Sequence, residues 1–185
     1  MKTKFALILV GLFCLSSLAR ELPKPPDGFK RVMICDDKMS LLQPDGWYFK
    51  KVDYKTNAEG YFITKEKIEE KGVFETGLSL NIATNVKKQS GKKPSEYAAY
   101  YLAKQARRGK ELDVFSKELG PFQNIGGRYL IKDEQGELII HFYLIANDKT
   151  GTLFIYMYEA PKEQWDEAWK IGEVIFKNLH LDDEI

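Results

Sequence analysis

The segment 161–179 constrains the fold of this chain more than any other. Pro161 opens it. Trp165, Ala168, Trp169, Gly172, Ile175, Phe176 and Leu179 then follow at i, i+3, i+4, i+7, i+10, i+11 and i+14. That spacing draws one apolar stripe along an α-helix. Two tryptophans and a phenylalanine on a single stripe need a cover, and the preceding residues supply one. Gly126 to Lys132, Glu137 to Ala146 and Thr152 to Tyr158 are β-prone runs. They are joined by Asp133-Glu134-Gln135-Gly136 and by Asn147-Asp148-Lys149-Thr150-Gly151, both turn sequences. Three such runs predict a meander of antiparallel hairpins. The helix is expected to cover a face of that sheet; left bare, its stripe would be a partner-binding surface.

Earlier runs extend the same pattern. Phe29 to Cys35, Ser40 to Leu42, Trp47 to Tyr54, Gly60 to Lys65 and Leu112 to Leu119 all read as strands, with Pro44-Asp45-Gly46 as a strong turn. In Gly77 to Ala83, Leu78, Leu80 and Ile82 alternate with Ser79, Asn81 and Ala83, so one face is more apolar than the other. Pro94 to Arg108 breaks the alternation. Pro94 suits a first helical turn, Tyr97, Ala98, Tyr101, Leu102 and Gln105 share a face, and Gly109 is placed to end the helix. These elements predict an α+β domain: an antiparallel β-sheet flanked by two main helices at about 94–109 and 161–179.

The N-terminus reads as an address. Lys2 and Lys4 precede the apolar run Phe5 to Leu15, and Ser17-Leu18-Ala19 offers small residues before a cleavage point. This is the three-part pattern of a secretory signal peptide. The run falls short of the roughly 20 residues that span a bilayer. Lipidation at Cys14 is disfavoured, because Phe13 stands where a small residue is required. The expected organisation is a signal peptide over 1–19, a Pro-rich leader over 20–30, one domain over 31–180 and an acidic, solvated tail over 181–185. Cleavage after Ala19 removes two lysines and no acids, so a formal charge of +1 becomes −1. It also leaves Cys35 as a single thiol, read as a small buried hydrophobe. The expected location is periplasmic or extracellular.

Together, the turn Pro44-Asp45-Gly46-Trp47, the helix opening Pro94-Ser95-Glu96-Tyr97-Ala98, the meander through Gly126-Gly127-Arg128-Tyr129 and the final helix with Trp165 resemble the PsbP-like family. The likeness covers about Leu41 to Leu179 and rests on order and spacing. It implies an α/β/α sandwich, shared with the Ran-binding import factor of the Mog family and with small exported bacterial proteins. It implies an accessory role through surface contacts with a protein or envelope partner, and it transfers no catalytic residues.

The residues themselves offer little chemistry. With 28 Lys+Arg against 27 Asp+Glu, the chain lacks the basic excess of a nucleic-acid binder. His141 lies within a strand, sharing a face with Ile139 and Tyr143, and reads as a packed or sheet-surface residue. His180 follows the last helix, where its charge would suit the helix dipole. One cysteine and two distant histidines do not make a zinc set. Asp133, Glu134 and Glu137 read as a solvated turn and not as a calcium loop. Gly126-Gly127 lacks the order of a phosphate loop. No catalytic residue, metal site or cofactor is therefore expected. Aromatics reach 13% of the chain. Trp47, Tyr48, Tyr61, Tyr143, Tyr156 and Tyr158 are the candidates for a partner or ligand surface, against the alternative of an aromatic core. Two functions follow as expectations: a non-enzymatic exported accessory protein, or a small-molecule binder or hydrolase using an aromatic-lined pocket.

Overall fold

The computed structural model describes residues 22–54, 58–68, 74–133, 136–182 and 184–185. The signal-peptide segment with Cys14 and Ala19, the first two residues of the leader, and Glu134 and Asp183 lie outside the described residues.

Seven strands form the central sheet: β3 (Tyr48–Tyr54), β4 (Ala58–Thr64), β5 (Gly77–Ala83), β6 (Gly109–Leu119), β7 (Phe122–Asp133), β8 (Gly136–Asn147) and β9 (Thr152–Pro161). Their spatial order is β3-β4-β5-β9-β8-β7-β6, and every neighbouring pair is antiparallel. The meander expected from the sequence is β7-β8-β9. At the turn between β8 and β9, Gly151 adopts φ 77° and donates its N–H to Asn147 O. Alternation along β5 and β8 splits the core in two. Leu78, Leu80, Ile82, Ile139 and Ile145 face one side, and Ile140, Phe142, Leu144 and Ala146 face the other.

Helix α1 (Val86–Ser90) and helix α2 (Pro94–Ala106) cover the second face, burying Val86, Ala98 and Leu102 against Tyr129 and Phe142. Pro94 opens α2 as expected. The Asp148 carboxylate in the β8–β9 turn accepts from both the Ser95 N–H (2.9 Å) and the Ser95 hydroxyl (2.7 Å), a negative charge at a helix N-terminus. Helix α3 (Trp165–Lys177) covers the first face through Trp165, Ala168, Gly172 and Ile175. The layers are thus helix, sheet, helix.

Four expectations need correction. First, β1 (Phe29–Ile34) and β2 (Met39–Pro44) leave the main sheet. With β10 (His180–Leu181) they form a three-stranded sheet that shares the α3 layer. All six residues of β2 are buried, because the strand is flanked by β1 and β10 and packed by α3. Second, Pro161 ends β9 in extended conformation, paired with Leu138; a 3-10 turn, Lys162–Gln164, intervenes before α3 begins at Trp165. Third, Gly109 starts β6 and does not end α2, whose C-cap is Arg107. A Cβ there would strike Leu130 O, so the glycine admits the close approach of β7. Fourth, Leu181, Asp182 and Ile185 of the expected acidic tail are tied to the domain, while Glu184 is exposed. His180–Leu181 pair with Ser40 and Met39, Asp182 N–H donates to Lys38 O at 3.0 Å, and Ile185 O accepts from Asn147 Nδ2 and Thr150 Oγ1.

Candidate functional site

Two recesses are built from chemically distinctive side chains. The first lies beneath α3. Register places Arg128 of β7 opposite His141 of β8, and alternation turns both toward α3, on the face of Ile139 and Tyr143. The Arg128 guanidinium carbon sits 4.5 Å from the Trp169 ring centroid and 5.0 Å from that of Trp165. The two indoles stack at 5.3 Å. A cation over paired tryptophans is attracted by both ring faces. His141 is 8% exposed and walled by Trp169 at 4.6 Å, Phe176 at 5.2 Å and Phe115 at 5.6 Å. Its Nδ1 and the Nε of Arg128 are buried with no hydrogen-bond partner among the described residues. Burial, with the Arg128 charge adding to it, pushes the imidazole down to about 3, so the ring is neutral at physiological pH.

Gly126 lets Phe115 reach this cluster. A Cβ at Gly126 would strike the Phe115 ring and lie 2.5 Å from Phe142 O. Phe115 therefore lies across the bare glycine of β7 and touches His141 and Tyr143 of β8. The result is a crevice of about 210 Å³ lined by Phe115, His141, Tyr143, Trp169 and Phe176, with Glu173 and Lys177 at its rim. Those two rim charges pair with each other at 2.9 Å.

The second recess, about 730 Å³, lies where the β1–β2 turn meets the ends of β3, β4 and β5. Cys35, Asp36 and Asp37 adopt φ of 54°, 52° and 64°, and Asn85, also on its wall, adopts 54°. Left-handed backbone costs roughly 1–2 kcal/mol per non-glycine residue, so the turn is strained. Tyr61 donates its hydroxyl to Glu59 Oε2, and Cys35 Sγ lies 3.8 Å from that hydroxyl. Burial pushes the Cys35 thiol up, against the smaller opposing effect of its contact with the Tyr61 hydroxyl. The thiol is therefore protonated at physiological pH; it is half-buried against the core and lines the recess, not the buried hydrophobe expected.

The six candidate surface residues do not converge. Tyr61, Tyr156 and Tyr158 are in the core, at 2%, 0% and 0% exposure, because alternation points them at α3 and the small sheet. Trp47 packs partly buried beside them. Tyr48 is 46% exposed on the edge strand β3. Tyr143 is half-buried in the α3 crevice. Of the metal-turn residues, Glu137 is ion-paired with Lys162, which holds its carboxyl below the usual range. His180 pairs with Ser40 in β10 and does not cap α3. Arg128, Phe115, Trp169 and Phe176 were not singled out as a site by sequence, since residues as distant as 115 and 176 meet only through the sheet register.

No protein-family model matches the chain, and no curated protein does. Among solved structures, cyanobacterial PsbP (CyanoP) from Synechocystis superimposes at a TM-score of 0.53, with 13% identity, over 83% of this chain and 92% of its own. The chain has the PsbP fold. LpqN, described as involved in cell envelope biogenesis of Mycobacterium tuberculosis, has a TM-score of 0.52 and 12% identity over 82% of this chain and 89% of its own. The Ran-binding protein Mog1p of Saccharomyces cerevisiae has a TM-score of 0.48 and 12% identity over 84% and 97%. The PsbP fold here carries both recesses on the α3 side of its main sheet, the side the small sheet shares. No helix among the described residues is long and apolar enough to cross a membrane.

Proposed function

We propose that the protein is an exported, non-enzymatic accessory protein that binds an envelope protein partner along the free edge of β6. One observation carries this reading: β6 is an outer strand of 11 residues on which Leu112, Val114 and Leu119 are 44%, 46% and 46% exposed. An edge of about 36 Å presents unpaired backbone groups to which an extended segment of another chain can add. Lys110, Glu111, Asp113, Lys117 and Glu118, with the register shift between Glu111 and Asp113, guard the strand against indiscriminate pairing. The other edge, β3, is shorter, and two of its three aromatics contact the domain itself while Tyr48 stays exposed. Phe49 stacks on Tyr61, and Tyr54 lies against Gly60, where a Cβ would come within 2.8 Å of its ring. Three features support the rest of the reading: the signal-type N-terminus, the PsbP fold shared with an envelope-biogenesis protein, and a protonated Cys35 thiol with a neutral, ring-walled His141 in place of a nucleophile and base.

A photo-activatable cross-linker tests this when placed in turn at Val114 and at Tyr100, a somewhat more exposed control on α2. In intact cells, Val114 is expected to give one discrete adduct with an envelope protein and Tyr100 none. Adducts of equal yield from both positions, or none from Val114, would contradict the proposal.

A further inference from the structure

We propose that the crevice between β8 and α3 is a socket for one uncharged aromatic ring. The inference is independent of whether β6 binds a partner. Size is the first argument. The crevice holds about 210 Å³, and a cavity of about 150 Å³ lined by apolar side chains takes up benzene. A single ring fits, and the mouth of the crevice stays open to solvent. Lining is the second. The rings of Phe115, Tyr143, Trp169 and Phe176 present both faces and edges, since Tyr143 meets Phe176 at 89° and Trp169 meets Phe176 at 35°. Such walls accept a further ring in stacked or edge-on geometry.

Charge is the third argument. Glu173 and Lys177 neutralise each other at the rim. Arg128 is held over the two indoles and is not among the residues that line the crevice. Buried between the rings, His141 stays neutral. A charged ligand would find no unpaired opposite charge along the lining, whereas a neutral ring gains the aromatic walls. The ring can belong to a free small molecule or to a phenylalanine side chain, and the chemistry of recognition is the same.

Toluene and p-cresol serve as free-ring probes, and the peptide N-acetyl-Gly-Phe-Gly-amide as the side-chain probe. Benzoate and benzylamine are the charged controls. Binding is followed by tryptophan fluorescence and by NMR shifts assigned to individual residues. At least one neutral probe is expected to saturate, with shifts centred on Phe115, His141 and Phe176, and the charged controls to bind about tenfold more weakly. Tighter binding of the peptide assigns the ring to a polypeptide, and tighter binding of toluene or p-cresol assigns it to a small molecule. Phe115→Ala, on a half-buried edge position, is expected to weaken the neutral probe about tenfold while the far-ultraviolet spectrum stays native. Three results would overturn the proposal: no saturation by any neutral probe, shifts centred on the Cys35 recess, or binding unaffected by Phe115→Ala in a folded variant.

Discussion

As pH falls from 6.5 toward about 3, the folded protein is expected to lose stability through His141 at up to about 1.4 kcal/mol per pH unit. An ordinary histidine takes up its proton near pH 6.5, and the unfolded chain does so freely. In the folded chain the imidazole lies among Trp169, Phe176 and Phe115, and Arg128 is its cross-strand neighbour. There it resists protonation until about pH 3. Between those values the unfolded state binds more protons than the folded state, so unfolding gains. Above pH 6.5 the contribution is constant. The charges nearest the ring do not alter the sign: Arg128 repels an imidazolium, and Glu173 at the rim is already paired with Lys177. Carboxylates elsewhere also make acid destabilising, which is why the comparison must be with His141→Phe. Urea midpoints at pH 7.5 and about pH 5 should differ less in the variant than in the wild type, since the phenyl ring fits the same aromatic walls and leaves no unpaired nitrogen. An identical pH dependence in both proteins would mean that His141 is not held neutral.

The second large effect is at Trp165. Its indole is 5% exposed, stacks on Trp169, meets Tyr158 edge-on at 6.2 Å and carries the Arg128 cation. Removing a buried tryptophan typically costs about 3–5 kcal/mol through lost burial and the cavity left behind. Trp165→Ala is expected to fall in that range and Trp165→Phe well below it, because a ring remains against Tyr158. The effect should be cooperative: α3 is anchored by the Tyr158 hydroxyl donating to Ala168 O at 2.6 Å, and by Gly172, where a Cβ would sit 3.0 Å from Tyr158. Losing Trp165 therefore loosens the whole α3 layer. Urea unfolding checks this, and a loss below about 1 kcal/mol would show that α3 is not held by its tryptophan stripe.

Much of the scaffold was legible because local periodicity controls it. The alternation of β5, the β7-β8-β9 meander, Pro94 at the start of α2 and the apolar stripe of α3 are all visible within windows of about 18 residues. His141 also shares the face of Ile139 and Tyr143, as its strand position predicts. Other features depend on partners far away in the chain. Nothing local to Phe29–Pro44 says that these strands leave the main sheet, since their partner is His180–Leu181. Pro161 can open a helix or end a strand, and pairing with Leu138 decides between them. Tyr156 and Tyr158 alternate as a surface pair would, yet the layer packed on them buries both. The crevice was invisible for the same reason: Gly126 reads only as the first residue of a strand until Phe115 is seen lying across it.

The central claim, that β6 is the partner-binding edge, is tested most directly by amide hydrogen exchange on the purified protein with and without an envelope fraction. The outward-facing amides of Gly109–Leu119 should slow by at least about tenfold, as new backbone hydrogen bonds require, while those of the β3 edge keep their free-state rates. Unchanged exchange along β6, or equal slowing at β3, would contradict the account.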